Sequence, residues 1–300
     1  MTTASGDGAG HRPPADVDVT EGLVRALLAA QHPDLADLPL AHAGGGWDNE
    51  MWRLGTDLAV RVPRRELGAR LAEHEQRWLP HLAALVPVTI PAPVRRGAPA
   101  DGYPFPWSVV RWVTGTPAWR QPVAERSAWA PDLADALADL HVPAPPDAPE
   151  NPFRGGPLVE RDERVRARLD GTDRAGLLEL WADALSAPTW AGPPLWLHGD
   201  PHPANLVVRD GHLAGIVDFG DMTAGDPATD LSTAWLTFDA DGRRAFRERL
   251  AARGAVDPAT WRRGRGWAVA LASFMAELPE AEGVISAIGR HAVRGLLAEA

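Results

Sequence analysis

The chain predicts an α+β protein of two lobes, a small β-rich N-lobe followed by a larger helical C-lobe. Up to residue 113 it offers a series of short strand-like runs with one embedded helix. From residue 124 to the end, helical patterns dominate. Between these regions, Thr114-Gly115-Thr116-Pro117 has the residue types of a linker. The expected boundaries are a disordered tail at 1–18, an N-terminal lobe at 19–113 and a C-terminal lobe at 114–300.

Taken in order, Thr20–Gln31 carries Leu23, Leu27 and Leu28 at helical spacing, with Asp18 or Thr20 as cap. Strand-like runs follow at 40–47, 50–54 and 58–62, separated by Asp48-Asn49 and Gly55-Thr56-Asp57 and closed by Pro63. Residues 66–83 form an amphipathic helix with Leu71, Trp78, Leu79 and Leu82 on one stripe. Two further strands are expected at 94–97 and 107–113. Beyond the linker, a helix is expected at 124–140, a Pro-rich loop at 143–157, and helical patterns at 158–170 and 174–186. Strands at 206–208 and 213–217 flank Arg209-Asp210-Gly211-His212, where Asp-Gly signals a tight hairpin. Helices are then expected at 227–238, 241–253, 258–276 and 283–298.

Composition excludes several classes of function. There is no cysteine, so disulfides and thiolate metal sites are ruled out. No apolar run is long enough to span a bilayer, and the first residues lack signal-peptide order, which points to the cytoplasm. A net charge of −10 disfavours nucleic-acid binding. Residues 113–300 carry 27 acids against 19 arginines, an excess that can steer a cationic ligand or simply aid solubility. All 30 basic residues are arginine.

The chemistry concentrates between Leu195 and Asp230. His198-Gly199-Asp200 is followed by Asn205, and Asp218-Phe219-Gly220 comes thirteen residues after that. A hairpin over 206–217 folds its ends together, so Asn205 and Asp218 are candidate Mg2+ ligands with hard oxygens. Pro201 and Pro203 hold Asp200 in a turn, where its carboxylate can take the proton of a substrate hydroxyl. His198 and His202 are four apart, but Pro201 denies them the helix that a zinc site of that spacing needs. His198 is expected to brace the loop. His202 and Asp221 are candidates for the substrate side. Asp226 and Asp230 are read as structural, capping and charging the first turn of the helix at 227.

On the nucleotide side, Gly45 and Gly46, in the run Gly44-Gly45-Gly46, let backbone amides approach phosphates. Arg61 ends the run Leu58-Ala59-Val60-Arg61, where a cation contacting phosphate is expected. Glu75 shares the buried face of Leu71 and Leu79 and is its expected partner, whereas Glu73 points away. The run Val109–Val113 before the linker resembles the strand that enters the hinge of a two-lobed kinase, which implies Arg111 and Val113 as main-chain contacts to a nucleotide base.

These residues resemble the aminoglycoside phosphotransferase family, a branch of the protein-kinase-like fold. The likeness runs over roughly 20–300 and is carried by HGDPHPAN at 198–205, IVDFGD at 216–221 and GDPATDL at 225–231. It implies Asp200 as catalytic base, Asn205 and Asp218 as Mg2+ ligands, and ATP or GTP as donor to a small-molecule hydroxyl. The run VRVPRR at 60–65 also looks like macrolide phosphotransferases, in which arginine likewise replaces the usual family lysine. The expected activity is that of a small-molecule kinase acting on an aminoglycoside-like or other antibiotic or metabolite. The alternatives are a macrolide phosphotransferase and a nucleotide-binding protein without turnover.

Overall fold

A computed structural model describes residues 13–171, 174–279 and 283–299. The chain divides into two compact units, one ending at Gly115 but including Ala214–Gly220, the other comprising Thr116–Leu213 and the residues from Asp221 onward. The division runs through a single strand. Among the described residues, no helix is long and apolar enough to cross a membrane.

The first unit opens with α1 (Glu21–Gln31), capped by the Thr20 hydroxyl, which accepts from Leu23 N at 3.2 Å. Strands β1 (Leu40–Gly45), β2 (Asn49–Leu54) and β3 (Leu58–Pro63) precede α2 (Glu66–Leu82), and β4 (Pro93–Gly97) and β5 (Trp107–Arg111) follow it. They pair antiparallel in the order β1-β2-β3-β5-β4. Val24, Leu27 and Leu28 of α1 share one core with Leu54, Val60, Val62, Trp107 and Val109. Each such side chain, fully buried, is worth about 1.5–3 kcal/mol. Gln76 Nε2 of α2 donates to Trp107 O at 2.8 Å and fixes the helix against β5. The segment 214–220 joins this unit through Thr89, whose N donates to Ala214 O and whose O accepts from Ile216 N, both at 3.1 Å.

The second unit begins with β6 (Thr116–Pro117) and contains α3 (Ala130–Leu140), α4 (Asp162–Leu169), α5 (Ala175–Ser186), β7 (Leu195–Leu197) and β8 (Leu206–Arg209). Strand β9 (His212–Ile216) is the one the division crosses. Strand β10 (Thr223–Gly225) leads into α6 (Ala228–Leu231), α7 (Thr233–Thr237), α8 (Ala240–Ala252), α9 (Pro258–Glu277) and α10 (Val284–Leu297). β10 pairs with β7, and β6, β8 and β9 form a second small sheet. The β8–β9 turn uses Asp210 at φ +54° and Gly211 at φ +80°, the left-handed pair that a tight type I′ hairpin requires. Trp129, Trp181, Trp235, Phe238, Phe246 and Trp267 are fully buried in this unit. Asp239 and Asp257 cap α8 and α9 through Gly242 N and Thr260 N.

Several expected elements differ in detail. Residues 1–12 of the expected tail lie outside the described residues, but Asp16 N and Val17 N donate to Arg64 O, so the tail is tied down before residue 18. The second half of the expected linker is strand β6. The helix expected at 124–140 is 3-10 over Val123–Trp129 and α only from Ala130. Pro131 has no N–H to donate, so it starts a helix rather than continuing one. The helix expected at 227–238 breaks into α6 and α7, in a stretch of Thr229, Ser232, Thr233 and Thr237 with weak helix propensity. Strands β7 and β10 were not expected.

Candidate active site

In the second unit, β7 delivers the chain to His198-Gly199-Asp200, and a buried carboxylate fixes the loop. Asp230, fully buried, accepts from His198 N and Gly199 N at 2.8 Å each, and its Oδ2 lies 3.0 Å from His141 Nε2. A desolvated carboxylate is tolerated when such charge-assisted donors surround it. Gly199 sits at φ +87°, and a Cβ there would lie 2.2 Å from Asp221 O, so no other residue fits. Asp200 N donates to His198 Nδ1 at 3.1 Å, so His198 braces the turn from within.

The Asp200 side chain is 20% exposed. His202 Nε2 lies 3.2 Å from its Oδ2, and Arg154 Nη2 lies 3.3 Å from its Oδ1. Burial alone would raise its pKa. The His202 ring, Arg154 and His198 outweigh that and hold Asp200 below the usual carboxylate range. Arg154 also reaches Asp221 Oδ2 at 3.0 Å and donates through Nε to Gly199 O at 2.8 Å. Asn151 Nδ2 donates to Asp221 Oδ1 at 2.9 Å. Asn205 Nδ2 donates to Asp200 O at 3.1 Å, which commits the amide nitrogen and leaves Oδ1 as the group's acceptor.

In the first unit, Arg61 is 4% exposed, with Nη2 2.9 Å from Glu75 Oε1 and 3.6 Å from Asp218 Oδ1. The Glu75 contact is an ion pair without hydrogen-bond geometry. Arg61 Nε and Nη1 are buried with no hydrogen-bond partner among the described residues. Burial pushes Glu75 up to about 7 against the pull of Arg61, and the Asp218 charge adds to the rise. Asp218 takes φ +63°, and its side chain is 57% exposed. Such strained backbone at an exposed carboxylate is typical of functional positions.

Of the glycine run, Gly44 carries the left-handed backbone at φ +105°, Gly45 pairs with Glu50 in the β1–β2 ladder, and Gly46 N donates to Asn49 O. Arg111 is paired with Leu58 at the end of β5, and the buried Val113 follows the strand.

Four residues that sequence reasoning did not place in a site now stand beside these. Arg154 and Asn151 fall in the stretch read only as a Pro-rich loop. Asp230 was placed in a helical first turn, without its reach to the loop at 198. Asp48 was read as a turn residue; burial raises its pKa, Arg65 opposes, and Asp218 raises it further. Each contact spans tens of residues with no local pattern to reveal it.

Among the described residues, no group of three or more His, Cys, Asp or Glu suits a metal ion. A Mg2+ held by one carboxylate, one amide oxygen, phosphate oxygens and water needs no such cluster. Asn205 Oδ1 in the second unit and the exposed Asp218 carboxylate in the first are each hard oxygens of the kind that Mg2+ takes.

The family model described as "Phosphotransferase enzyme family" matches residues 40–267. The GDP and kanamycin complex of APH(2")-IIia superposes with a TM-score of 0.64 at 21% identity, covering 92% of this chain and 98% of that one. The apoenzyme of macrolide 2'-phosphotransferase MphH from Brachybacterium faecium gives 0.62 at 23%, covering 93% and 98%. The streptomycin-ATP-APH(2")-IIa ternary complex gives 0.57 at 18%, covering 85% and 90%. At these identities the likeness is one of fold, and the fold is kinase-like. No curated protein sequence matches the chain significantly. With the family model covering most of its length, the chain belongs to the phosphotransferase enzyme family.

Proposed function

We propose that the chain is a kinase that transfers the γ-phosphate of ATP or GTP to a hydroxyl of a small molecule. The observation that carries this reading is the Asp200 carboxylate, held ionised by His202 and Arg154 in a loop pinned at two amides by Asp230, which His141 also contacts. Asp200 orients the acceptor hydroxyl and takes its proton as oxygen bonds to the γ-phosphorus. The bond from that phosphorus to the bridging oxygen breaks, and its electron pair leaves with the nucleoside diphosphate. A carboxylate of low pKa suits this role, because phosphoryl transfer depends on positioning and charge neutralisation more than on base strength.

Arg61 meets the donor phosphates with its buried, unpartnered N–H groups, and Glu75 orients it. Asn205 and Asp218 supply hard oxygens to Mg2+, which when bound neutralises phosphate charge. The glycine turn at 44–46 admits the phosphates, and the main chain at Arg111 and Val113 meets the base. Residues 19–113 serve as the nucleotide lobe and 114–300 as the catalytic and acceptor lobe. ATP and GTP as donors place the reaction in the cytoplasm.

Two of the similar structures hold kanamycin with GDP and streptomycin with ATP, and a third is the apoenzyme of a macrolide 2'-phosphotransferase, so aminoglycosides, macrolides and neutral sugars form the acceptor panel and ATP and GTP the donors to compare. Asp200→Asn is expected to lose at least a hundredfold in turnover while nucleotide still raises the melting temperature. Undiminished turnover in that variant would remove Asp200 from the mechanism. Absence of nucleotide consumption with every acceptor would remove the kinase reading.

A further inference from the structure

Taking Asp200 as the group that receives the acceptor, we propose that Arg154 is a positioning and selectivity residue that closes this site to polyamines. The acceptor it admits is a hydroxyl on a framework without ammonium groups beside it.

A polycationic acceptor needs free carboxylates close to the reacting hydroxyl. Two acids stand near that point in the second unit, Asp200 and Asp221, and one guanidinium serves both. Arg154 Nη2 is 3.3 Å from Asp200 Oδ1 and 3.0 Å from Asp221 Oδ2. Its other donors fix it in place, Nε on Gly199 O at 2.8 Å and Nη1 on Phe153 O at 3.2 Å. The second Asp221 oxygen already accepts from Asn151 Nδ2. The Arg154 side chain is 17% exposed, so water screens these contacts weakly. An incoming ammonium therefore meets a cation at contact distance and an Asp221 already engaged on both oxygens.

The excess of acids over residues 113–300 acts differently. Charges beyond about 8 Å are largely screened at physiological salt, whereas Arg154 acts within 3–4 Å. The near field decides what binds, and Arg154 cancels one of the two carboxylate charges there, against the acidity that composition implies. The guanidinium makes this possible, since Nη2 faces both carboxylates while Nε donates to the Gly199 carbonyl and holds the group in place.

The test is kanamycin binding by calorimetry, in the presence of Mg2+ and a non-hydrolysable ATP or GTP analogue. Wild type is expected to bind weakly. Arg154→Gln takes the guanidinium away from Asp221 Oδ2 and is expected to tighten binding about fivefold, the scale of a partly exposed ion pair. Arg154→Lys keeps the charge and is expected to stay weak. Asp221→Asn is expected to change nothing in wild type, yet to cancel the gain in the Arg154→Gln background. The proposal is overturned if Arg154→Gln fails to tighten kanamycin binding, or if Asp221→Asn alone weakens it. Should Arg154→Gln not fold, the Asp221→Asn result decides by itself. These are binding readouts, so they stand apart from the nucleotide-consumption assay that tests the kinase reading.

Discussion

Replacing Asp230 with alanine removes a group that holds the loop at 198–200 to the start of the following helices. Asp230 accepts from two backbone amides at 2.8 Å and faces His141 Nε2 at 3.0 Å, all without solvent exposure. A hydrogen bond to a charged group contributes about 1.5–3 kcal/mol, and the three donors would lose their partner together. Against this, the variant no longer buries a carboxylate, which returns several kcal/mol. The net cost expected is about 3–5 kcal/mol, the usual range for breaking one side of a buried charged network. For a chain of this size that lowers the melting temperature by about 10 °C. Asp230→Asn keeps one acceptor but turns an NH2 group toward a second donor, so its cost should approach that of alanine. Thermal unfolding gives the stability. Hydrogen exchange of the peptide spanning 195–205 reports the loop directly, and the Gly199 amide should exchange faster in both variants. A melting temperature within 2 °C of wild type, with protection at Gly199 unchanged, would show that Asp230 does not hold the loop.

Two further predictions concern the first unit. Glu75 has its pKa raised by burial from 4.5 to about 7, so the folded state binds a proton that the unfolded chain has lost between those values. Stability from this group therefore falls as pH rises through that window, by up to about 3 kcal/mol. Glu75→Gln should flatten this slope, so that the variant gains on wild type from pH 5 to pH 8; a melting-temperature difference that stays constant with pH would count against it. Asp218→Ala is expected to cost about 1 kcal/mol for placing alanine at φ +63°, and to weaken nucleotide binding about tenfold when Mg2+ is present. Titration of ATP and GTP with and without Mg2+ reads this, and an unaltered Mg2+-dependent shift would take Asp218 out of the metal site.

What the sequence revealed follows from the range of the interactions. The β8–β9 hairpin was legible because Asp210-Gly211 states its turn locally. The grouping of Arg61 with Glu75 was legible because helical spacing puts Glu75 on the face of Leu79. Asp200 and Asn205 were legible together because only four residues, two of them prolines, lie between them. Arg154 lies 46 residues from Asp200 along the chain, in a stretch whose prolines and glycines say only that it is irregular. Asp230 lies 31 residues from Gly199, and its local helical role hid the long-range one. Periodicity also failed where helices break. It sees the spacing of apolar residues in 227–238 but not the competition from four Ser and Thr side chains, of which Thr233 and Thr237 bond to each other at 2.9 Å.

The absence of lysine gives Arg61 in the first unit and Arg154 in the second a common logic. Arg61 spans Glu75 and Asp218, and Arg154 spans Asp200 and Asp221. In each case one guanidinium holds a buried or half-buried acid and a more exposed one. A lysine ammonium is a compact point charge and cannot set two carboxylates at fixed spacing with the same rigidity. Arginine also stays charged when buried, which matters at Arg61, where Glu75 titrates near neutral pH. A lysine there would be open to losing its proton as its partner gains one. Arginine at position 61 is thus more than a tolerated substitute for a smaller cation. It keeps a fixed positive charge between the buried Glu75, whose own charge responds to pH, and the exposed Asp218.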